Sequence, residues 1–297
     1  MFSASDVKEL REKTGAGMMD CKKALEACEG NMDKAVDWLR EKGIAKAAKK
    51  ESRIAAEGLT EACSNENEAI IFEVNCETDF VTKNEKFHDL IRELRNALMF
   101  SDCKNMEEAK EVKLEDGKTV AERIVEETAT IGEKISFRRF ERITKSDDEE
   151  FGIYSHMGGK ITSVVVLKGA NRDVARDVAM QVCAMSPIAV NRDGVPADMV
   201  DHEKEVIKAE IKNDPKNASK SDEILDKMAT GRLSKFFKEN CLVEQDFIKD
   251  SSMTVEKYVK ENNGEVLSMI RYSVGEGIEK KQENFAEEVA AQINAAQ

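Results

Sequence analysis

The sequence predicts a mixed fold of helices and small antiparallel strands, and three observations carry that expectation. Apolar residues recur at helical spacing alone through about residue 45, and from about Ala55 strand and helix patterns alternate. The segment Phe151 to His156 then faces Ile161 to Lys168 across Met157-Gly158-Gly159-Lys160, which reads as a β-hairpin. At 297 residues the chain is long enough to bury a sizeable core and to divide into two or more compact units.

Residues 1 to about 45 read as three short helices, punctuated by Ser3 or Ser5, by Gly15 to Gly17 and by Gly30-Asn31. In the third, Met32, Ala35, Val36 and Leu39 follow the i, i+3, i+4, i+7 rule behind Asn31 as cap. Gly43 is expected to end that helix as the residue past its C-cap. Lys46-Ala47-Ala48-Lys49-Lys50-Glu51 follows as a polar, helix-prone connector, expected to be a solvated tether.

Farther on, Ile70, Phe72 and Val74 alternate along one face of a strand, while Phe87, Leu90, Ile91, Leu94 and Leu98 recur at helical spacing behind Asn84 as cap. Glu115-Asp116-Gly117-Lys118 is a turn signal before a helix capped by Thr119, and Ile135 to Ile143 reads as a strand despite imperfect alternation. After the hairpin, Asn171 caps a helix that carries Val174, Ala175, Val178, Ala179 and Val182 on one side. The plan of strand, turn, asparagine cap and helix thus appears at 69 to 98 and at 163 to 185. It is expected a third time near the end: Leu267 to Val274 as strand, Gly275 and Gly277 in the link, and Asn284 ahead of Ala286, Val289, Ala290 and Ile293. The likeness is one of plan and not a repeat of fixed period.

Between these units, residues 196 to 240 are rich in charge and helix formers, broken by Asn213-Asp214-Pro215-Lys216-Asn217. Two antiparallel helices satisfy this pattern. Val206, Ile207 and Ile211 on one arm, with Ile224, Leu225, Met228 and Leu233 on the other, would form a narrow apolar seam. Such an arm either projects as a partner-binding hairpin or packs home, and its small apolar surface favours projection.

A formal charge of -13 argues against non-specific nucleic-acid binding, which needs lysine and arginine to neutralise phosphates, and points to proteins or small molecules as partners. Seven scattered cysteines without a Cys-x-x-Cys pair give no complete disulfide framework and fit a reduced cytosol. The start, Met1-Phe2-Ser3-Ala4-Ser5-Asp6, lacks a basic lead followed by an apolar core, and no stretch approaches the roughly 20 apolar residues of a membrane span. A soluble, cytoplasmic protein is expected.

No enzyme active site is evident. His88, His156 and His202 are far apart and in no metal-ligand spacing, so no metal is expected. Gly117-Lys118-Thr119 ends like a P-loop, but Val112 stands where the first glycine is required, so the tripeptide reads as a turn and a helix cap. Gly275-Glu276-Gly277-Ile278-Glu279-Lys280 lacks the third glycine of a dinucleotide fingerprint, and its two glutamates would repel a pyrophosphate. No catalytic residue and no cofactor are expected.

The most informative stretch is Glu73-Val74-Asn75-Cys76-Glu77-Thr78-Asp79-Phe80-Val81, which sets an aromatic beside a carboxylate in a strand-to-helix connection. Displayed there, Phe80 is a wedge; the alternative is that it folds back into the core.

These residues resemble the elongation factor Ts family, the nucleotide-exchange factors of the translational GTPase elongation factor Tu, and the likeness spans the whole chain. It is carried by Leu10-Arg11-Glu12-Lys13-Thr14-Gly15-Ala16-Gly17-Met18-Met19-Asp20-Cys21-Lys22-Lys23-Ala24-Leu25 and by Glu73 to Val81 with Lys83. Tyr154-Ser155-His156-Met157-Gly158-Gly159, the tail Val274 to Lys280 and Asn284-Phe285-Ala286 add to it, while Thr82 departs from the usual Ser or Ala. The resemblance implies an α+β fold. Its parts would be a three-helix domain like a ubiquitin-associated (UBA) domain with its linker at 1–50, and a two-part core of small antiparallel sheets with packed helices at 51–143 and at 144–195 with 241–274. A helical-hairpin (coiled-coil) insertion would occupy 196–240, and a C-terminal module 275–297.

For function, the resemblance implies that Thr78, Asp79, Phe80 and Val81 enter the GTPase domain and disturb its magnesium site. It further implies that Arg11, Met18 and Met19 touch a helix of that domain, and that His156 meets a β domain of the GTPase. Adjacent methionines cannot both face inward on one helix, so at least one is expected outside. Asp79 would act either electrostatically or through hydrogen bonds. The partner would be elongation factor Tu, GDP-bound or nucleotide-free, with a homodimer or heterotetramer as possible assemblies. A non-catalytic adapter built on the three-helix domain and the hairpin is the competing expectation.

Overall fold

In the computed structural model, which describes residues 2–214 and 220–279, the chain forms two compact units. One contains the chain up to Leu59, Glu73–Phe140 and the chain from Val274; the other contains Thr60–Phe72 and Glu141–Ser273. The expected helix behind Asn284 lies outside the described residues. Among the described residues, no helix is long and apolar enough to cross a membrane.

The first unit opens with α1 (Ala4–Thr14), α2 (Met18–Ala27) and α3 (Met32–Ala48), which enclose Leu10, Cys21, Ala24, Leu25 and Ala35. Ser3 caps α1 reciprocally: its hydroxyl accepts the Asp6 N–H, and the Asp6 carboxylate accepts the Ser3 N–H at 2.7 Å. Asn31 caps α3 by accepting the Lys34 N–H.

Gly43 does not end α3. The helix runs through it to Ala48, and a side chain built there would lie 3.3 Å from the Ala129 side chain. The glycine is therefore explained by a close approach and not by a chain reversal. The connector is largely solvated, with Lys46, Ala48, Lys49 and Glu51 exposed, and it is also fastened: Lys46 pairs with Asp20 at 2.7 Å and the Lys50 ammonium donates to the Thr128 carbonyl at 3.4 Å. Burial pushes the Lys50 ammonium below the ordinary lysine pKa.

Next come β1 (Glu57–Ser64), β2 (Glu68–Cys76), α4 (Glu85–Met99), α5 (Met106–Glu111), α6 (Val120–Ile131) and β3 (Ser136–Thr144). The three strands form one sheet in the order β1-β2-β3, and the division between units falls within them. Ile70, Phe72 and Val74 share a face of β2 as expected, yet Ala69, Ile71 and Glu73 on the other face are equally buried. The apolar stripe of α4 is Phe87, Leu90, Ile91, Leu94 and Leu98, all buried, and Asn84 caps the helix by accepting the Lys86 N–H at 3.0 Å. Thr119 and Glu122 form a capping box at the start of α6. The short α5 falls in a stretch where the sequence signalled no element.

The second unit contains β4 (Glu149–His156), β5 (Ile161–Lys168) and α7 (Arg172–Met185). The helical pair α8 (Ala197–Asn213) and α9 (Asp222–Asn240) follows, then β6 (Asp246–Phe247), β7 (Asp250–Thr254), α10 (Val255–Glu261) and β8 (Glu265–Ser273). The hairpin closes with His156 opposite Ile161, and the antiparallel order is β4-β5-β8. The central strand β5 buries both faces: Val165 and Leu167 pack with Val174, Ala175, Val178, Ala179 and Val182 of α7, while Val164 and Val166 pack with Ile71, Phe151 and Tyr272. Asn171 caps α7, accepting the Val174 N–H.

The α8–α9 pair closes an apolar seam of its own from Ile207, Ile211, Leu225, Ala229 and Leu233. Val206 and Ile224 are exposed instead of joining it. Each precedes a seam residue by one position, and consecutive helical residues point about 100° apart, so both cannot face the partner helix.

Candidate partner-binding site

The nine-residue stretch from Glu73 to Val81 spans the end of β2 and its link to α4. Its buried half is anchored by charge. Glu73 is fully buried, and its Oε2 accepts from Arg139 Nε at 2.6 Å and Arg138 Nη1 at 3.1 Å. Its Oε1 accepts from Asn75 Nδ2 and from the Gly275 N–H, both at 2.8 Å. A buried carboxylate is tolerated when its oxygens are filled in this way.

The same clasp holds the chain after β8. Gly275 adopts a φ of +71°, and a side chain there would lie 2.2 Å from the Ala56 carbonyl oxygen, so only glycine lets its N–H approach Glu73. Glu276 is drawn in as well: its carbonyl accepts from Arg138 and its carboxylate pairs with Arg139. Gly275 thus serves a turn at which no side chain fits.

Beyond Cys76 the chain leaves the sheet. The Cys76 thiol contacts the Thr78 carbonyl at 3.2 Å, and the Glu133 carboxylate accepts the Glu77 N–H at 3.1 Å and the Thr78 N–H at 2.9 Å. Val81–Lys83 then forms one 3-10 turn that delivers the chain to Asn84. Val81 and Thr82 are buried, and the Thr82 hydroxyl donates to the Asp79 carbonyl at 2.7 Å.

Between these two anchored ends, Phe80 is 78% exposed. Single exposed apolar residues are common on protein surfaces, and Phe100 is more exposed still at 87%; what distinguishes Phe80 is its place on a link anchored at both ends. The Lys83 ammonium stands 5.7 Å from its centroid and 2.8 Å from Asp79 Oδ2, so the exposed tip presents an aromatic face, a carboxylate and an ammonium together.

The model of the family described as elongation factor TS matches residues 77–276, which is more than half of the chain and begins at this link. The chain belongs to the elongation factor Ts family. Members of the elongation factor Ts family serve translation elongation as nucleotide-exchange factors without covalent chemistry, and their partner is a GTPase elongation factor.

The other residues singled out in the elongation factor Ts pattern fall in two places. Arg11 is exposed in the last turn of α1, and Met18 and Met19 open α2 across the short link Gly15 to Gly17. Both methionines are exposed, at 54% and 62%. This bundle belongs to the same unit as Phe80, and Arg40 of α3 pairs with Glu122 of α6 at 2.6 Å. His156 is exposed at the end of β4 in the other unit, its ring stacked on Tyr154 at 6.2 Å, next to the exposed Met157.

Sequence reasoning missed Glu133, Arg138 and Arg139. A signal existed for the arginines: a glutamate inside the apolar run of β2 demands buried cationic partners. Nothing local marked Glu133.

Proposed function

We propose that this chain is the exchange factor of elongation factor Tu and that it promotes GDP release by inserting Phe80 into the GTPase. The observation that carries the reading is the exposure of the Phe80 ring on a link anchored at both ends. Of Thr78, Asp79, Phe80 and Val81, the Val81 side chain is buried in this protein and anchors the link, so Phe80 enters beside the magnesium and phosphate site with Asp79 and Thr78 flanking it, and the ring stabilises the nucleotide-free arrangement of the switch elements.

Energetics decide how many contacts are needed. Speeding release about ten-thousand-fold takes roughly 5.5 kcal/mol of differential stabilisation. Burying one phenylalanine supplies about 1.5–3 kcal/mol. Arg11, Met18 and Met19 on the UBA-like three-helix domain, together with His156, therefore hold the GTPase while Phe80 enters. By linkage, whatever weakens nucleotide binding is itself weakened by nucleotide, so the factor is released unchanged and acts again. In this reading the chain itself holds no cofactor or metal and makes no direct contact with nucleic acid. Its place is the cytoplasm, and seven free cysteines suit a reducing compartment.

The test is release of labelled GDP from purified elongation factor Tu. Acceleration at substoichiometric amounts of this chain supports exchange. Binding with an unchanged release rate would instead identify the adapter, for which the exposed Val206 and Ile224 of the α8–α9 pair offer the surface. The molar mass of the complex in solution decides between a one-to-one complex and a heterotetramer.

A further inference from the structure

We infer that Glu133 is a positioning residue for nucleotide exchange: its carboxylate fixes the backbone at Glu77–Thr78 and thereby holds Phe80 outward. The inference rests on the reading that Phe80 enters the GTPase.

Glu133 follows Gly132, whose φ of +89° ends α6 and turns the chain toward β3. From that turn its Oε2 accepts the Glu77 and Thr78 N–H groups, and its Oε1 accepts the Thr78 hydroxyl at 2.7 Å. The pairing is returned: the Glu77 carboxylate accepts the Lys134 N–H at 2.6 Å and the Arg53 guanidinium at 3.3 Å. Two segments 55 residues apart in sequence are thus stapled in both directions. With the Cys76 thiol against its carbonyl, Thr78 is held at its amide, its hydroxyl and its carbonyl.

Such holding is required because a ring displayed to water gains nothing from its display. Link conformations that lay Phe80 against its own protein would recover apolar burial and compete with the outward one. Hydrogen bonds to an ionised acceptor are about twice as strong as neutral ones, and Glu133 concentrates three of them two residues before the ring. Glu133 does this through Thr78 and has no need to reach the GTPase. Its loss lowers the fraction of molecules whose link is ready, which slows the step after docking while leaving docking to the other contacts.

The experiment measures stimulated GDP release from elongation factor Tu against concentration of the full chain, for wild type, Glu133→Ala, Glu133→Gln, Phe80→Ala and the double variant Glu133→Ala with Phe80→Ala. Glu133→Ala is expected to lower the saturating rate by about tenfold and to leave the half-saturating concentration within about twofold. In the Phe80→Ala background it should cost nothing more. Glu133→Gln keeps an acceptor for both N–H groups and a donor for Thr78 Oγ1, so it should restore the rate to within about threefold of wild type. If Glu133→Ala does not fold, Glu133→Asp, which keeps the charge but withdraws the oxygens by about 1.5 Å, takes its place in the same comparison. A wild-type rate for Glu133→Ala, an undiminished loss on top of Phe80→Ala, or a glutamine variant as slow as the alanine one would each overturn the assignment. Failure of the underlying reading looks different: wild type would not accelerate release, or Phe80→Ala would match wild type, and the role of Glu133 would fall with it.

Discussion

The Lys83 ammonium lies 5.7 Å from the centroid of the Phe80 ring, one turn of chain beyond it, while its other contact is the Asp79 carboxylate. The most exposed part of the link is thus a ring flanked by opposite charges, and its neighbours Val81 and Thr82 point inward. Removing the ring therefore removes contact area for a partner and almost none for the fold. Phe80→Ala is expected to slow stimulated GDP release by about ten- to a hundredfold, the equivalent of roughly 1.5–3 kcal/mol, with an unchanged thermal midpoint. Stopped-flow release together with a melting curve checks both halves.

Met18 and Met19 support the same reading from another element. Both are exposed at the first turn of α2, so replacing both by alanine should leave the three-helix bundle intact. Affinity for elongation factor Tu is expected to fall about tenfold, roughly 1.4 kcal/mol, as read by calorimetry. A loss of helicity in the variant would instead assign the pair to the bundle.

Glu73 makes the opposite prediction. Its carboxylate is buried between Arg138 and Arg139 and accepts the Gly275 N–H, so Glu73→Ala takes the buried counter-charge from two guanidinium groups, which keep Glu276 as a partner, and leaves an amide without its acceptor. Stability should fall by about 3–5 kcal/mol. Urea denaturation reads that loss, and hydrogen exchange should quicken at the Gly275 amide.

Glu127 on α6 gives a pH dependence. Burial raises its pKa, the neighbouring Glu126 and Glu93 reinforce the rise, Arg123 and Lys86 oppose it, and its Oε2 is buried without a hydrogen-bond partner. The folded carboxyl thus keeps its proton to higher pH than the unfolded one does. Between the ordinary glutamate pKa and that raised value, the folded state holds more protons, and stability falls as pH rises through the window. Glu127→Gln should remove this slope and stabilise the protein by about 1 kcal/mol at pH 7, with the gain vanishing at acid pH. Thermal melts across pH 4 to 8, conditions spanning the ordinary carboxylate range, check it.

What could be read from the sequence was local in origin. Asn31, Asn84 and Asn171 each accept a backbone N–H two or three residues onward, which is why a cap can be recognised without knowing the fold. The hairpin at 157–160 and the apolar stripe of α4 are likewise set by neighbours in sequence. Gly43 misled because the rule for helix ends competes with a distant cause, the approach of Ala129. Glu133 was invisible for the same reason, since its partners lie 55 and 56 residues upstream and no spacing rule joins them. The exposed ring was legible, but the carboxylate behind it was not.

The clasp at Glu73 also orders events during synthesis. Its acceptor oxygens belong to a strand that leaves the ribosome early, whereas the amide that fills one of them follows 202 residues later. Nascent chains generally fold from the N-terminus as they emerge, at about 5–20 residues per second, so this carboxylate waits on the order of ten seconds or more for Gly275. Until then the strand that leads into Phe80 has an acceptor without its last donor. The root of the loop that carries Phe80 is thus completed only after a further 202 residues have been added.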